Sequence, residues 1–294
     1  MTEPSFSAER AGFAAMTPPI PVAPEAAAAL FPTHAIIDVR PEAAFRRGHL
    51  PGSGNVPHTE FAERRAELPP RGAAVLVVAE DGARAEAAAR SLAALGFVAV
   101  RWLDAGPDSV PGVAPVRDPA VRLWRPNPFL AEVLPLLPRS GRALDLASGS
   151  GRDAVCLALH GLDTEAWDFD PLALARAQAL AARAGVKLRT LICDLEQRDA
   201  PLPEATWDVV VCFRFLHRPL LPRLATALAA GGFLVYETYR RGQERFGKPS
   251  RSRFLLEPGE LRAAFPGLEA LRYDEPSPHG GPWTARLLAR RPTG

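Results

Sequence analysis

The chain has 294 residues, enough for two domains, and 47% of them are hydrophobic, enough to fill a core in each. Its formal net charge of +2 gives no bulk attraction that would demand nucleic acid or a membrane surface as a partner. No apolar run approaches the about 20 residues of a membrane span, and the N-terminus lacks the features of a signal peptide, so we expect a cytoplasmic protein. The spacing of Cys156, Cys193 and Cys212 matches neither a zinc site nor a disulfide framework, which predicts buried thiols and no metal.

Residues 1–23 show no periodicity, and we predict that they form a mobile lead-in. Short apolar runs then alternate with helical stretches. This alternation predicts a small parallel sheet with helices packed on it. The predicted elements are a strand at 35–39, a helix at 41–46, a strand at 75–79, a helix at 84–95 and a strand at 98–103.

Several short motifs in this half are typical of one family. They are Asp38-Val39-Arg40, Gly48-His49-Leu50-Pro51-Gly52, Asn55-Val56-Pro57, and Gly82 with Arg84 before a helix. On these motifs, residues 24–106 resemble the rhodanese domain, which implies sulfur transfer by a cysteine in a Cys-x-x-Gly-x-Arg loop. At that loop this sequence has Ala79-Glu80-Asp81-Gly82-Ala83-Arg84.

The rhodanese-like domain is predicted to be catalytically inactive. Ala79 offers no nucleophile, and Glu80 and Asp81 place negative charge where an anionic sulfur donor would approach. Its role is then either a scaffold or homodimer surface, or the binding of a partner or substrate. The proline-rich residues 107–120 predict a semi-extended linker, and residues 121–294 form the second predicted domain.

The second domain predicts a doubly wound, Rossmann-like α/β sheet with a ligand at its carboxyl edge. The last two strands have no helix between them and are expected to form an antiparallel hairpin at one edge. Strands are predicted at 142–146, 164–168, 187–193, 207–212, 233–238, 268–274 and 284–290. Helices are predicted at 153–160, 171–184, 219–229 and 258–265.

The first strand of this domain runs through a glycine turn into a helix, an arrangement that presents backbone N–H groups to a ligand. Gly149, Gly151 and Ala154 satisfy G-x-G-x-x-G/A, and Asp168 follows about 20 residues later. A dinucleotide site is therefore one alternative for this turn.

The same turn also resembles the first motif of class I S-adenosylmethionine methyltransferases. It is Asp145-Leu-Ala147-Ser-Gly149-Ser-Gly151, with Ala147 in place of the first glycine. Acids end the next two predicted strands, at Asp168 and Asp194, and the strand after them begins with Trp207-Asp208. This series is typical of that family and is not required of a nicotinamide domain, so it favours the methyltransferase.

The resemblance implies S-adenosylmethionine as cofactor and gives each site residue a role. Asp168 would accept hydrogen bonds from both ribose hydroxyls, and Asp194 with the N–H of Leu195 would bind the adenine. Cys212 and Phe213, at the end of the fourth strand, would flank the methyl group. The methionine part would bind the turn residues Asp145, Ala147, Gly149 and Gly151.

Acceptor-side residues are expected on loops at the carboxyl edge, and the candidate catalytic residues are Arg214, His217 and Tyr239. His217 is either a general base or a cap of the helix that begins at Pro219. The basic segment, residues 240–253, has six basic residues among fourteen and only one acid. It is either a solvated loop or a lid that attracts an anionic or thiolate acceptor or an RNA phosphate.

Residues 235–250 and 254–261 resemble tellurite-resistance-like bacterial methyltransferases of small molecules. We therefore predict an S-adenosylmethionine-dependent methyltransferase whose partner is a small-molecule acceptor, such as a thiol, a selenol or a chalcogen oxyanion. One alternative is an RNA methyltransferase that grips its substrate with the rhodanese-like domain and the basic segment, although no RNA-binding motif is present. The other is a non-catalytic binding protein.

Overall fold

The computed structural model describes residues 18–197 and 200–293. They form two compact units that divide between Trp124 and Arg125, and each unit has its own sheet and apolar core. This arrangement confirms the predicted α/β class. In the described ranges no helix has the length and apolar character needed to cross a membrane.

The first unit is built on one parallel sheet. Its strands are β1 (Ile20–Val22), β2 (Ala35–Asp38), β3 (Ser53–Asn55), β4 (Ala74–Val78) and β5 (Ala99–Leu103), and its α-helices are α1 (Pro24–Ala27), α2 (Glu42–Arg47) and α3 (Gly82–Ala94). The strand order is β1-β5-β4-β2-β3. Strands β2 and β4 are nearly continuous buried apolar runs because both faces of a parallel sheet are covered.

Two segments of this unit differ from the sequence predictions. Ile20–Val22, expected within the lead-in, pairs with Arg101–Leu103 as an edge strand, while residues 1–17 lie outside the described residues. The proline-rich stretch packs on the unit: Val110 is buried, and Val116 forms a bridge with His49. The unit continues to Trp124, so the boundary lies beyond the predicted start of the second domain at residue 121.

A side chain of the loop after β4, that of Asp81, caps the helix that follows. Asp81 is the N-cap of α3, and its Oδ1 accepts a hydrogen bond from the backbone N–H of Arg84 at 2.9 Å. Its Oδ2 accepts from the guanidinium of Arg84, also at 2.9 Å. A carboxylate therefore already occupies the positive end of this helix.

The second unit contains a seven-stranded sheet. Its strands are β6 (Arg142–Leu146), β7 (Asp163–Asp168), β8 (Arg189–Ile192), β9 (Trp207–Phe213), β10 (Leu228–Tyr239), β11 (Glu269–Asp274) and β12 (Thr284–Arg290). Its α-helices are α4 (Pro128–Val133), α5 (Arg152–His160), α6 (Pro171–Arg183), α7 (Leu221–Ala227) and α8 (Glu260–Ala263). The order β11-β12-β10-β9-β6-β7-β8 has β12 antiparallel to both neighbours, which confirms the predicted hairpin.

The chain order creates a switch point beside β6. After β6 the chain builds β7 and β8 on one side, then returns to place β9 and β10 on the other. In such sheets the crevice outside the carboxyl ends at the switch point binds ligands. The carboxyl ends of β6, β7, β9 and β10 therefore frame the candidate site.

One predicted helix is shorter than expected. The sequence predicts a helix at 219–229 that ends before Gly231-Gly232, whereas α7 ends at Ala227 and β10 begins at once. Leu228 pairs with Trp207, and the register shifts before Phe233 pairs with Val209. The two glycines thus lie in a strand irregularity, where their lack of side chains permits the bend.

Candidate functional site

The turn after β6 is shaped by left-handed backbone. Ala147, Gly149 and Gly151 have φ values of 54°, 52° and 72°. A Cβ at Gly151 would clash with Ala177 of α6, whereas a Cβ at Gly149 would meet no atom within 4 Å. Gly151 is therefore required for packing, and Gly149 leaves open space where a ligand can approach the backbone.

Asp145 is the buried acid of this turn. Its Oδ2 accepts a hydrogen bond from the N–H of Ala154 in α5 at 2.9 Å, and no hydrogen bond to Oδ1 occurs among the described residues. Burial, followed by the negative charge of Asp153, raises the pKa of Asp145 well above its usual range. A cationic ligand group beside the free oxygen would offset that cost and favour the carboxylate.

Asp168, at the end of β7, is bonded to the same turn. Its Oδ2 accepts from the N–H of Gly149 at 2.7 Å, and its Oδ1 accepts from the N–H of Asp170 at 2.9 Å. Each oxygen keeps a lone pair for another donor, as a pair of ribose hydroxyls would require. Nearby, the buried Oγ of Ser148 has no hydrogen-bond partner within the described ranges.

Asp194 lies at the neighbouring strand end, because the N–H of Cys193 bonds to the carbonyl of Asp168 at 2.9 Å. Its exposed carboxylate accepts from Gln197 and from the N–H of Glu196, and the Gln197 contact is the main cause of its lowered pKa. Leu195 is buried in the core. Sequence reasoning missed Phe169, whose side chain is 74% exposed directly after Asp168 and can cover a flat ring.

The thiol of Cys212, expected beside the methyl group, lies in the core of the unit. It is fully buried, and burial raises its pKa far above the ordinary range. Tyr236 of β10 lies against it, and the Tyr236 hydroxyl donates to the carbonyl of Phe215 at 2.8 Å. Of the two predicted neighbours of the methyl group, only Phe213 ends the strand at the edge, and it is 9% exposed.

The loop after β9 presents its two basic side chains to different acids. Arg214 has a φ of 56°, unusual for a residue with a side chain, and its charge acts on Asp153. His217 lies close enough to Asp194 to lower the pKa of that acid. His217 is the N-cap residue of the following 3₁₀ turn, as one of the two alternatives expected, but its side chain makes no capping hydrogen bond there.

A polar cluster that sequence reasoning missed lies beside Arg214. The N–H of Asn127 donates to Oδ1 of Asp153 at 2.6 Å, and the Asn127 side-chain amide donates to Oε2 of Glu237 at 2.8 Å. Oε1 of Glu237 accepts from the hydroxyl of Thr284 at 2.9 Å. The sequence shows an Asn before Pro128 and an acid inside the motif Tyr236-Glu237-Thr238-Tyr239. No sequence motif relates these two residues, because they lie 110 positions apart. The candidate Tyr239 is half-buried two residues beyond Glu237.

The basic segment is folded onto the hairpin loop rather than solvated throughout. Arg240 lies 4.9 Å from the centre of the Trp283 ring, with its side chain only 11% exposed, and Arg245 lies 5.5 Å from the same ring. Arg241 pairs with Glu257 at 2.8 Å. These three arginines therefore have partners within the unit, whereas Lys248, Arg251 and Arg253 are exposed.

A glycine turn at the switch point of the sheet, with acids at or near the ends of three successive strands, makes up the site in which S-adenosylmethionine is expected to bind. Residues 143–232 match the family model described as a methyltransferase domain, and residues 23–109 match that described as a rhodanese-like domain. The chain thus carries a rhodanese-like domain followed by a methyltransferase domain.

Individual relatives show how far the similarity extends. The chain is 39% identical over 93 residues to ribosomal protein L11 methyltransferase of Thermus thermophilus, covering 31% of this chain and only 35% of that protein. It is 25% identical over 282 residues to the uncharacterized protein UNK4.09 of Schizosaccharomyces pombe, covering 77% and 83% of the two chains. The crystal structure of TehB from Haemophilus influenzae matches 55% of this chain and 61% of its own, with 19% identity and a TM-score of 0.47.

The residues present fit this cofactor. The open space at Gly149 and the unpartnered Ser148 hydroxyl lie between Asp145 and Asp168 along the chain. Oδ1 of Asp145 has no hydrogen bond among the described residues and could accept one from an ammonium group. Both oxygens of Asp168 could accept a further hydrogen bond from a hydroxyl group. The methionine end would bind at Asp145 and the turn, the ribose at Asp168, and the adenine beside Phe169 and Asp194.

Proposed function

We propose that the protein transfers a methyl group from S-adenosylmethionine to a small molecule with a soft nucleophilic atom, a thiol or a chalcogen oxyanion. The observation that carries the proposal is the adjacency of two sets of groups at one sheet edge. Asp145 and Asp168 make up the donor side, and Asp153 and Glu237 with Arg214 make up a second polar cluster next to it. Two reactants can therefore be held side by side.

The bound cofactor supplies a methyl group on a sulfonium, which is already a good leaving group. The chain then has mainly to position the acceptor, and positioning of two reactants contributes about 7–11 kcal/mol in favourable cases. Arg214, Asp153 and Glu237 are the polar groups available to orient an acceptor. Phe213, at the end of β9, keeps apolar surface at the edge between the two sets.

Part of the basic segment is less available to RNA phosphates. Arg240 and Arg245 lie on Trp283, and Arg241 is paired with Glu257. Phosphate binding needs several exposed cationic groups along one surface, because each contact adds an increment to affinity. The exposed Lys248, Arg251 and Arg253 could contact either an RNA or a small anion, so the competing tRNA acceptor is part of the test below.

Calorimetry and a turnover screen test the proposal. We expect binding of S-adenosylmethionine without binding of NAD, and methylation of a member of a panel of thiols, selenols, tellurite and selenite. Bulk tRNA serves as the competing acceptor. Methylation of tRNA, with micromolar and steeply salt-dependent binding, would favour the RNA methyltransferase. Cofactor binding without turnover on any acceptor would favour the non-catalytic alternative.

A further inference from the structure

We propose that Asp153 is the proton acceptor of the methyl-transfer reaction, and that the methyl acceptor is therefore a neutral thiol rather than an oxyanion. This inference rests on the proposed function and narrows its substrate class. The inference is supported by the position of Asp153, by its hydrogen bonds and by the charges around it. It does not depend on the acids that are expected to bind the cofactor.

Asp153 is held by α5 and by the backbone before α4, and it faces charges from two strand ends. It lies in the first turn of α5, two residues after Gly151, and is bonded to the backbone before α4. Its charge interacts with Arg214 at the end of β9 and with Glu237 near the end of β10. The carboxylate thus faces the carboxyl ends of the strands on the side of β9 and β10, opposite the ribose acid on β7.

One oxygen of Asp153 is free to accept a proton. Oδ1 is bonded to the N–H of Asn127, and among the described residues no hydrogen bond reaches Oδ2. The side chain is not exposed on the surface, and burial is the main cause that raises its pKa to about 6. A base with such a pKa is ionised at neutral pH and yet holds a transferred proton better than a surface carboxylate does.

The charges that face Asp153 disfavour an anionic acceptor. Negative charge comes from Glu237, and positive charge comes from two arginines. With Asp153 ionised, carboxylates and guanidinium groups are equal in number, so an oxyanion would enter a site whose own side chains carry no net positive charge. A neutral nucleophile needs no such positive charge and brings the proton that Asp153 can take. The two arginines are Arg152, on the same helix, and Arg214.

The step is a simple displacement with proton transfer. The S–H bond of the acceptor breaks and its proton moves to Oδ2 of Asp153. The electron pair left on the chalcogen forms the new bond to the methyl carbon. The bond between that carbon and the sulfonium breaks, and its electron pair stays on the departing thioether sulfur.

Two reactions separate proton transfer from binding. Methylation of an aliphatic thiol such as 2-mercaptoethanol, which is protonated at neutral pH, needs a proton acceptor, whereas methylation of S-adenosylhomocysteine by methyl iodide releases only iodide. We expect Asp153→Asn to lower thiol methylation by about 100-fold or more, the usual scale of a general base. The methyl iodide reaction and the calorimetric affinity for S-adenosylhomocysteine should stay within threefold of the wild type. Asp163→Asn, an exposed acid at the opposite sheet edge, is the matched control and should leave both reactions unchanged.

Thermal unfolding, which requires no turnover, tests whether the pKa of Asp153 is raised in the folded protein. Because the pKa of Asp153 is raised in the folded protein, ionisation costs stability as the pH rises from its unfolded value through about 6. Asp153→Asn removes that cost and should raise Tm at pH 8 relative to wild type, with little change at pH 4.

Four results would overturn the inference. They are equal loss of both reactions in Asp153→Asn, loss of S-adenosylhomocysteine affinity, an unchanged rate with thiols, and a wild-type enzyme that methylates tellurite or selenite but no thiol. A wild-type protein that binds neither S-adenosylmethionine nor its product would instead reject the proposed function itself.

Discussion

The backbone N–H of Gly149 donates a 2.7 Å hydrogen bond to Oδ2 of Asp168. The glycine turn and the acid of the next strand are therefore held together before a ligand arrives. Since Asp168 also accepts from Asp170, its carboxylate is fixed in one orientation. A preorganised acceptor loses little freedom on binding, which favours affinity.

Replacing Asp168 by Ala should weaken binding of S-adenosylmethionine by tenfold or more. Hydrogen bonds to a charged group contribute about 1.5–3 kcal/mol, and the N–H of Gly149 would also lose its partner. Isothermal calorimetry measures the affinity, and Asp163→Ala, which alters an exposed ion pair, is the control. An affinity equal to that of the wild type would remove Asp168 from the site.

Arg214→Gly should make the protein more stable and less active. A left-handed backbone costs a residue with a side chain about 1–2 kcal/mol, so we expect a gain of up to about 1 kcal/mol after the added freedom of the unfolded chain. Thiol methylation should fall because the charge facing Asp153 is lost. Denaturant unfolding gives the stability. Arg251→Gly, at a φ of −81°, is the control and should destabilise; an equal loss in both variants would contradict the strain argument.

The acids of the donor side were predictable because each is tied to a strand end. A buried apolar run followed by an acid marks the carboxyl edge, and parallel strands bring such edges together. The amide of Asn127 and the carboxylate of Glu237 meet across 110 residues, and only the strand order brings them together. Likewise Gly231-Gly232 predicted a helix end, but the pairing of Leu228 with Trp207 starts the strand earlier. Short sequence motifs cannot predict contacts between residues that lie so far apart in the chain.

Exchanging the donor and acceptor of the Asn127–Glu237 hydrogen bond should restore what either single change removes. Asn127→Asp keeps a helix-capping oxygen for the N–H of Phe129 but sets a second carboxylate against Glu237. Stability and thiol kcat should both fall. In the double variant Asn127→Asp/Glu237→Gln, the amide at position 237 donates to the carboxylate at position 127. The hydrogen bond is then present in the reverse direction, and stability should recover. Urea unfolding gives a coupling of about 0.5–3 kcal/mol.

Recovery of stability without recovery of kcat would show that the charge of Glu237 acts on the acceptor. Recovery of both would assign the pair a positioning role only. If the two single changes simply add, the hydrogen bond contributes nothing.

The rhodanese-like domain should show no thiosulfate sulfurtransferase activity in a cyanide-dependent thiocyanate assay, because Ala79 provides no thiol. Ala79→Cys should give a thiol that reacts slowly with iodoacetamide, since the carboxylate of Asp81 occupies the end of α3. Adding Asp81→Ser keeps a capping oxygen and removes the charge, so alkylation should accelerate. Turnover by the wild type would refute the prediction, and equal alkylation rates would show that Asp81 does not control this loop.

Arg240 and Arg251 belong to one basic segment but should respond differently to replacement by Ala. The Arg240 side chain is largely buried over Trp283, so its loss should lower the free energy of unfolding by about 1–3 kcal/mol. Arg251 is exposed, and its loss should change stability by less than about 0.5 kcal/mol. Thermal or urea unfolding compares the two, and equal effects would return the whole segment to a solvated loop.

The donor acids lie within 145–194, whereas the second polar cluster joins Asp153 and Arg214 to Asn127 before that stretch and to Glu237 and Thr284 after it. The matched methyltransferase model spans residues 143–232 and so ends before Glu237. Substitutions at positions 127, 237 and 284 would therefore alter the surroundings of Asp153 while leaving every acid of the donor side in place.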